Sequence, residues 1–249
     1  MSIACFASCG QNGVGGKDDI DENPQGLQFF MQDDGTYIVS GGDAKYLSNV
    51  VIPSTYNGGA VVGIEYSAFA GFELLKSVTI PDSVTSIRGW AFQDCSSLTE
   101  IIIPDSVTYI GNYAFRGCSS LTSVVIGDSV TSIGSDAFYY CSSLTEIVIP
   151  DSVTSIGDYA FCGCSSLTEI VIPDSVTSIG DYAFCGCSSL TEIVIPDGVT
   201  SIGGHAFCGC SSLNEVYYTG SEAQWSAISV GSSNGALTNA NITYNYTAK

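Results

Sequence analysis

The chain holds 249 residues, 45% of them apolar and only 12% charged, with 25 acidic against 6 basic side chains and a formal net charge of −19. That length suits one or two ordinary domains with a sizeable core, and low charge with abundant Val and Ile argues for β-rich packing rather than disorder. The acidity argues against nucleic acid and against an anionic membrane as partners, most of all after Arg116, where twelve Asp and Glu meet no Lys or Arg before Lys249.

Residues 1–24 read as a tether or the remnant of a targeting signal. MSIACFASCGQNG is too short for a signal peptide with a basic n-region but resembles the tail of one, and Phe6-Ala7-Ser8-Cys9 is similar to a bacterial lipobox, where small residues precede a lipid-bearing cysteine. On that reading Cys9 anchors an exported lipoprotein and DDIDENPQG is a flexible spacer; the other reading is an unstructured N-terminus with two incidental cysteines. No apolar run approaches the roughly 20 residues needed to cross a bilayer, so a lipid on Cys9 is the one membrane attachment the sequence offers.

Residues 25–249 read as a single domain: a cap over 25–44, repeats over 45–218 and a second cap over 219–249. Leu27 to Ser40 (LQFFMQDDGTYIVS), with Asp34-Gly35 at its turn, predicts a β-hairpin that covers the first coil. A 23-residue period follows, with Phe69, Phe92, Phe115, Phe138, Phe161, Phe184 and Phe207 at one phase and Leu75, Leu98, Leu121, Leu144, Leu167, Leu190 and Leu213 at another. An earlier copy begins near Lys45 and carries an insertion, because Pro53 lies 28 residues before Pro81.

Comparing the copies with one another separates buried columns from exposed ones. In LTEIIIP, residues 98–104, the columns of Leu98, Ile101 and Ile103 stay large and aliphatic, the strand pattern of leucine-rich repeats. Alternation points Ile101 and Ile103 inward and Glu100 and Ile102 outward. Pro104 closes the strand, Asp105-Ser106 suits a turn, and Val107 with Ile110 forms a second inward pair. Two residues later stand Gly89, Asn112, Ser135, Asp158, Asp181 and Gly204, nearly the preferred helix N-cap set, so a single helical turn, Tyr-Ala-Phe, is expected after each. No unit buries its own apolar edge, so neighbours must stack. The fold class is therefore α/β and β-rich: a right-handed leucine-rich-repeat solenoid with a parallel sheet on one face and short helical turns. Seven to eight coils about 4.8 Å apart would span on the order of 35 Å. At the far end, Ser221 to Ile228 reads as a short capped helix laying Trp225 and Ile228 over the last coil, and ANITYNYT as an edge strand.

The units resemble the 23-residue leucine-rich repeats of the BspA-like family of bacterial and protozoan surface proteins. The resemblance covers roughly residues 45–220 and rests on runs such as IPDSVTSIGDYAF followed by CSSLTEI; VIPSTYNG and VYYTGSEAQWSAI look like the ends such proteins carry. It implies a secreted or cell-surface binder, with several members acting as adhesins for host matrix proteins or other cells. No catalytic motif comes with it.

The residues themselves point away from an enzyme. His205 stands in the column of Tyr113, Tyr159 and Tyr182 and substitutes for a packing aromatic; no serine sits in a nucleophile motif, and no glycines follow a phosphate-loop spacing. No catalytic residue, metal ligand or cofactor is expected. Asp82, Asp105, Asp128, Asp151, Asp174 and Asp197 recur after the strand and are expected to accept hydrogen bonds from backbone N–H groups in their own turns, with calcium bridging as the alternative. Glu100, Glu146, Glu169, Glu192 and Glu215 form a ladder on the outward strand face, beside Ile102, Val125, Val148, Val171, Val194 and Tyr217. An exposed aliphatic stripe beside a carboxylate ladder is a candidate surface for a protein or glycoprotein, host matrix or cell surface included, with Glu selecting cationic groups. A stripe that merely satisfies β-propensity is the alternative, and the chain would then be a structural spacer or scaffold without a ligand. Cys95, Cys118, Cys141, Cys164, Cys187 and Cys210 read as small buried hydrophobes, and Cys162, Cys185 and Cys208 as surface thiols able to pair between coils, a split that does not suit zinc.

Overall fold

The computed structural model describes residues 25–247, so Cys9 and the tether read over 1–24 lie outside the described residues. Alternation of apolar and polar residues builds a front strand in every coil: Asn49–Val51, Ser77–Thr79, Glu100–Ile103, Ser123–Ile126, Glu146–Val148, Glu169–Val171, Glu192–Ile195, Glu215–Tyr218 and Asn241–Thr243. In the third of these Ile101 and Ile103 are buried and Glu100 and Ile102 exposed, as the pleat requires. The second apolar pair of each repeat makes a short back strand, such as Ser155–Ile156, which pairs in parallel with Ser178–Ile179 one period on. Front and back strands enclose a core of Phe, Leu, Val and Ile. The Phe column is a stack running from Phe69 to Phe207, with neighbouring ring centroids 5.1 to 5.5 Å apart.

Among the described residues the chain makes about nine turns of a parallel β-solenoid, more than the seven to eight expected, because both ends hide coils whose spacing is damaged. The N-terminal hairpin, Gln28–Met31 against Tyr37–Ser40, covers the first coil as expected, but its second strand also pairs in parallel with Gly59–Ile64 and so serves as the first back rung. The insertion after Pro53 is a second, smaller hairpin: Thr55–Tyr56 lies antiparallel to Gly59 and Ala60, and Asn57 and Gly58 turn the chain with φ of 48° and 77°. At the C-terminus Glu222–Trp225 is helical, with a Ser221–Gln224 capping box. Beyond it, Ser229–Val230 pairs with Ser201–Ile202 across 28 residues and Asn241–Thr243 with the strand from Glu215 across 26. The C-terminal cap is thus a stretched repeat that has lost its Phe and Leu markers.

The return segments are helical turns as expected, but they lack the capped start read from the sequence. Tyr113, Tyr159 and Tyr182 have φ of 61°, 57° and 57°, in the left-handed region, which breaks N-cap geometry. Backbone bonds alternate instead: Ala114 N–H to Gly111 O, Arg116 N–H to Tyr113 O and Cys118 N–H to Phe115 O each reach the third residue back, giving single tight helical turns in series, while Phe115 and Gly117 donate to Ala137 O and Tyr139 O of the next coil. The left-handed residue aims its N–H at the next coil; that of Tyr159 meets the Asp181 carbonyl at 2.8 Å. The residues expected to cap their own turns also reach across: Asp158 Oδ1 accepts from Asp181 N–H at 2.8 Å, and Asp181 Oδ1 from Gly204 N–H at 2.6 Å.

Candidate functional site

Outward positions on the front strands come into register as two columns. Ile102 pairs with Val125 and Val125 with Val148, while Val171 pairs with Val194 and Val194 with Tyr217. The middle of this stripe is open to solvent, with Ile102 65%, Val125 53%, Val148 77% and Val171 57% exposed. Its C-terminal end is partly covered, because Tyr246 packs on Tyr217 with ring centroids 4.6 Å apart and donates its backbone N–H to Tyr218 O. Partial burial there, followed by repulsion from Glu192 and Glu215, raises the Tyr217 phenol above its ordinary pKa. Val194, Tyr217, Glu192 and Glu215 are accordingly half-buried, and the open part of the face runs from Ile102 to Val171.

The carboxylate ladder lies beside the stripe but is interrupted: Ser123 stands between Glu100 and Glu146. Glu169, Glu192 and Glu215 follow in register, and Glu215 accepts from Asn241 Nδ2 at 3.1 Å. The front sheet itself is broken twice, between Ser77–Thr79 and Glu100–Ile103 and between Glu146–Val148 and Glu169–Val171, leaving segments of two, three and four strands. A cleft opens at each break, of about 350 Å³ and 330 Å³ respectively. The pattern of repeats gave no sign of either break.

The Asp column does not form the local turns expected of it. Among the described residues its side-chain bonds run between coils, with Asp105 Oδ1 accepting from Asp128 N–H at 3.1 Å and Asp197 Oδ2 from Gln224 Nε2 at 3.3 Å. His205 stacks on Tyr182 at 4.6 Å and nearly parallel, as a packing aromatic would. The buried cysteines do more than fill space: each thiol donates to a Phe carbonyl of the preceding coil, Cys141 Sγ to Phe115 O at 3.2 Å for instance. Cys162 is buried rather than a surface thiol, while Cys185 and Cys208 are half-buried. No group of three or more His, Cys, Asp or Glu among the described residues is placed to hold a metal ion, and no described helix is long and apolar enough to cross a membrane.

Comparison with known proteins agrees with this geometry. The leucine rich repeat protein of T. pallidum is 31% identical, with 79% of this chain and 81% of that one aligned at a TM-score of 0.59. A leucine-rich repeat protein from Eubacterium ventriosum is 27% identical at a TM-score of 0.63, over 73% of this chain and 49% of that longer one. No curated protein matches the chain. The profile of the BspA type leucine rich repeat region matches residues 43–165 and 131–247. With nearly every described coil inside those spans, the chain belongs to the BspA type leucine-rich-repeat family.

Proposed function

We propose that this protein is a non-enzymatic, exported surface protein that binds a protein or glycoprotein partner, host matrix or cell-surface proteins among them, through the open part of its front sheet. One observation carries the reading: Ile102, Val125, Val148 and Val171 form an exposed aliphatic column that no other segment of the described chain covers. A contiguous apolar strip of that kind on a repeat solenoid is where partners dock. The carboxylates beside it favour a partner with cationic groups and disfavour nucleic acid. Repetition along the strip suits an extended or repetitive ligand better than a small molecule. The reading takes residues 25–249 as one solenoid domain carried on the tether of residues 1–24, with Cys9 as its lipid attachment.

The test is binding of the purified protein to immobilised matrix proteins and cell-surface glycoproteins. Binding to at least one, abolished in the Val148→Asp/Val171→Asp/Val194→Asp variant while circular dichroism stays unchanged, is the expected result. Binding that survives the triple substitution, or none by the parent protein, would replace this reading with that of a spacer or scaffold.

A further inference from the structure

The strands Glu146–Val148 and Glu169–Val171 carry the same three residues and follow one another in the stack, yet no ladder joins them. The bond leading into the pair, from Thr168 N–H to Thr145 O, is stretched to 3.5 Å, whereas the equivalent from Thr191 to Thr168 measures 3.0 Å. The cleft between them has buried Ile147 and Ile170 at its base, exposed Val148 and Val171 at its rim, and Glu146, Glu169 and Asp151 among its lining.

The size of the opening decides what fits. Cα atoms of the two strands still approach within 8 Å, whereas an inserted strand would need them roughly 9.6 Å apart, twice the ordinary spacing. The cleft of about 330 Å³ has room for a single side chain but not for a strand. The stem of that side chain must be aliphatic to match the valines and isoleucines, and its head must be cationic and donate hydrogen bonds to the carboxylates of the lining. The coils themselves offer no such head, since no Lys or Arg occurs from residue 117 to residue 248.

Resting on the front-face reading above, we infer that this cleft receives an arginine side chain of the protein partner. The stem lies between Val148 and Val171 and the guanidinium meets Glu146 and Glu169. Arginine is favoured over lysine because its planar fork engages one carboxylate through two N–H groups and keeps others for the second carboxylate. The other break supplies an internal control. Its cleft is of similar size but is lined by a single carboxylate, Glu100, and Lys76 directly precedes its first residue, Ser77. It has no corresponding preference for a cation.

The experiment titrates N-acetyl-arginine amide into the full chain carrying 13C-labelled Val and Ile methyl groups, with N-acetyl-citrulline amide as the neutral isostere. Saturable shifts at Val148 and Val171, absent at Ile102, absent with citrulline and about tenfold weaker in affinity in the Glu146→Gln/Glu169→Gln variant, are expected. A missing or non-saturable response, an equal response to citrulline, an equal shift at Ile102, or indifference to the Glu→Gln changes would overturn the inference. None of those results touches the front-face reading, which stands or falls on the Val→Asp variant and the matrix-protein panel.

Discussion

Every cysteine of the buried column holds a packing position and also satisfies a carbonyl of the coil before it. Burial pushes the Cys95 and Cys210 thiols up to about 12 and raises those of Cys118, Cys141, Cys164 and Cys187 as well. A thiol raised in the folded state above its unfolded value of about 8.5 contributes stability that is fully present below that pH and is lost as pH rises toward the folded value. The stability should therefore be level to about pH 8.5 and then fall, with a limiting slope of about 1.4 kcal/mol per pH unit for each thiol. Urea midpoints between pH 7 and 11 measure this, and a level curve to pH 11 would contradict it. Residue-mapped alkylation of the native protein should label Cys185 and Cys208 and spare Cys162 until denaturation. The covering of Cys162 could have been found in the sequence: its column neighbour one coil earlier is Tyr139, a large ring, whereas Cys185 has only small neighbours, Cys162 and Cys208. The Gly column sets a different limit. A Cβ on Gly157 would lie 2.8 Å from the backbone of Gly134 and Ser135 in the preceding coil, so Gly157→Ala should cost about 1–3 kcal/mol in chemical denaturation by forcing two coils apart.

At the scale of the element, the strands and their parallel stacking are legible in the sequence, and the two breaks in the front sheet are not. The outward and inward columns of the front strands follow from alternation, because a pleated strand with one buried face allows no other placement. The break between Glu146–Val148 and Glu169–Val171 is invisible for a physical reason: the same Glu-Ile-Val sequence pairs fully with its neighbour between Glu169–Val171 and Glu192–Ile195. Identical residues that pair at one junction and part at the next mean that the gap is set by the geometry of the stack and not by local preference. Backbone amides flanking the break should exchange with solvent faster than those between Glu192–Ile195 and Glu215–Tyr218, and equal protection would show the sheet to be continuous in solution. The first front strand meets the opposite problem, an edge that no strand among the described residues pairs. Gln25 closes it with a side-chain amide that acts as one peptide unit of an added strand, Nε2 donating to Val51 O at 3.0 Å and Oε1 accepting from Val51 N–H at 2.8 Å. Gln25→Ala should leave that edge open, so light scattering should show concentration-dependent self-association that the parent lacks.

The whole molecule is a stack in which each coil touches mainly its two neighbours, so stability accumulates coil by coil and the ends carry special weight. That architecture permits a deletion few globular proteins tolerate. Removing Cys162–Phe184, one full period, joins Phe161 to Cys185 and restores the run FCGCSSL with every column in phase. The shortened chain should fold, unfold cooperatively with somewhat lower stability, and lose about 4.8 Å of length by small-angle scattering. Removing half a period would shift inward residues of the following strands out of the core, and that variant should not fold. The caps are not exchangeable in the same way. The Gln28–Met31 and Tyr37–Ser40 hairpin supplies the first back rung, and Leu27, Ile38 and Val39 within this segment are buried in the core. Without residues 25–44 the first coil would present its apolar end to water, so this deletion should lower the unfolding midpoint more than loss of an interior repeat does, although it removes fewer residues. If the two deletions cost the same, the coils would be independent of their ends, and the hairpin would be an ornament on the stack instead of its first turn.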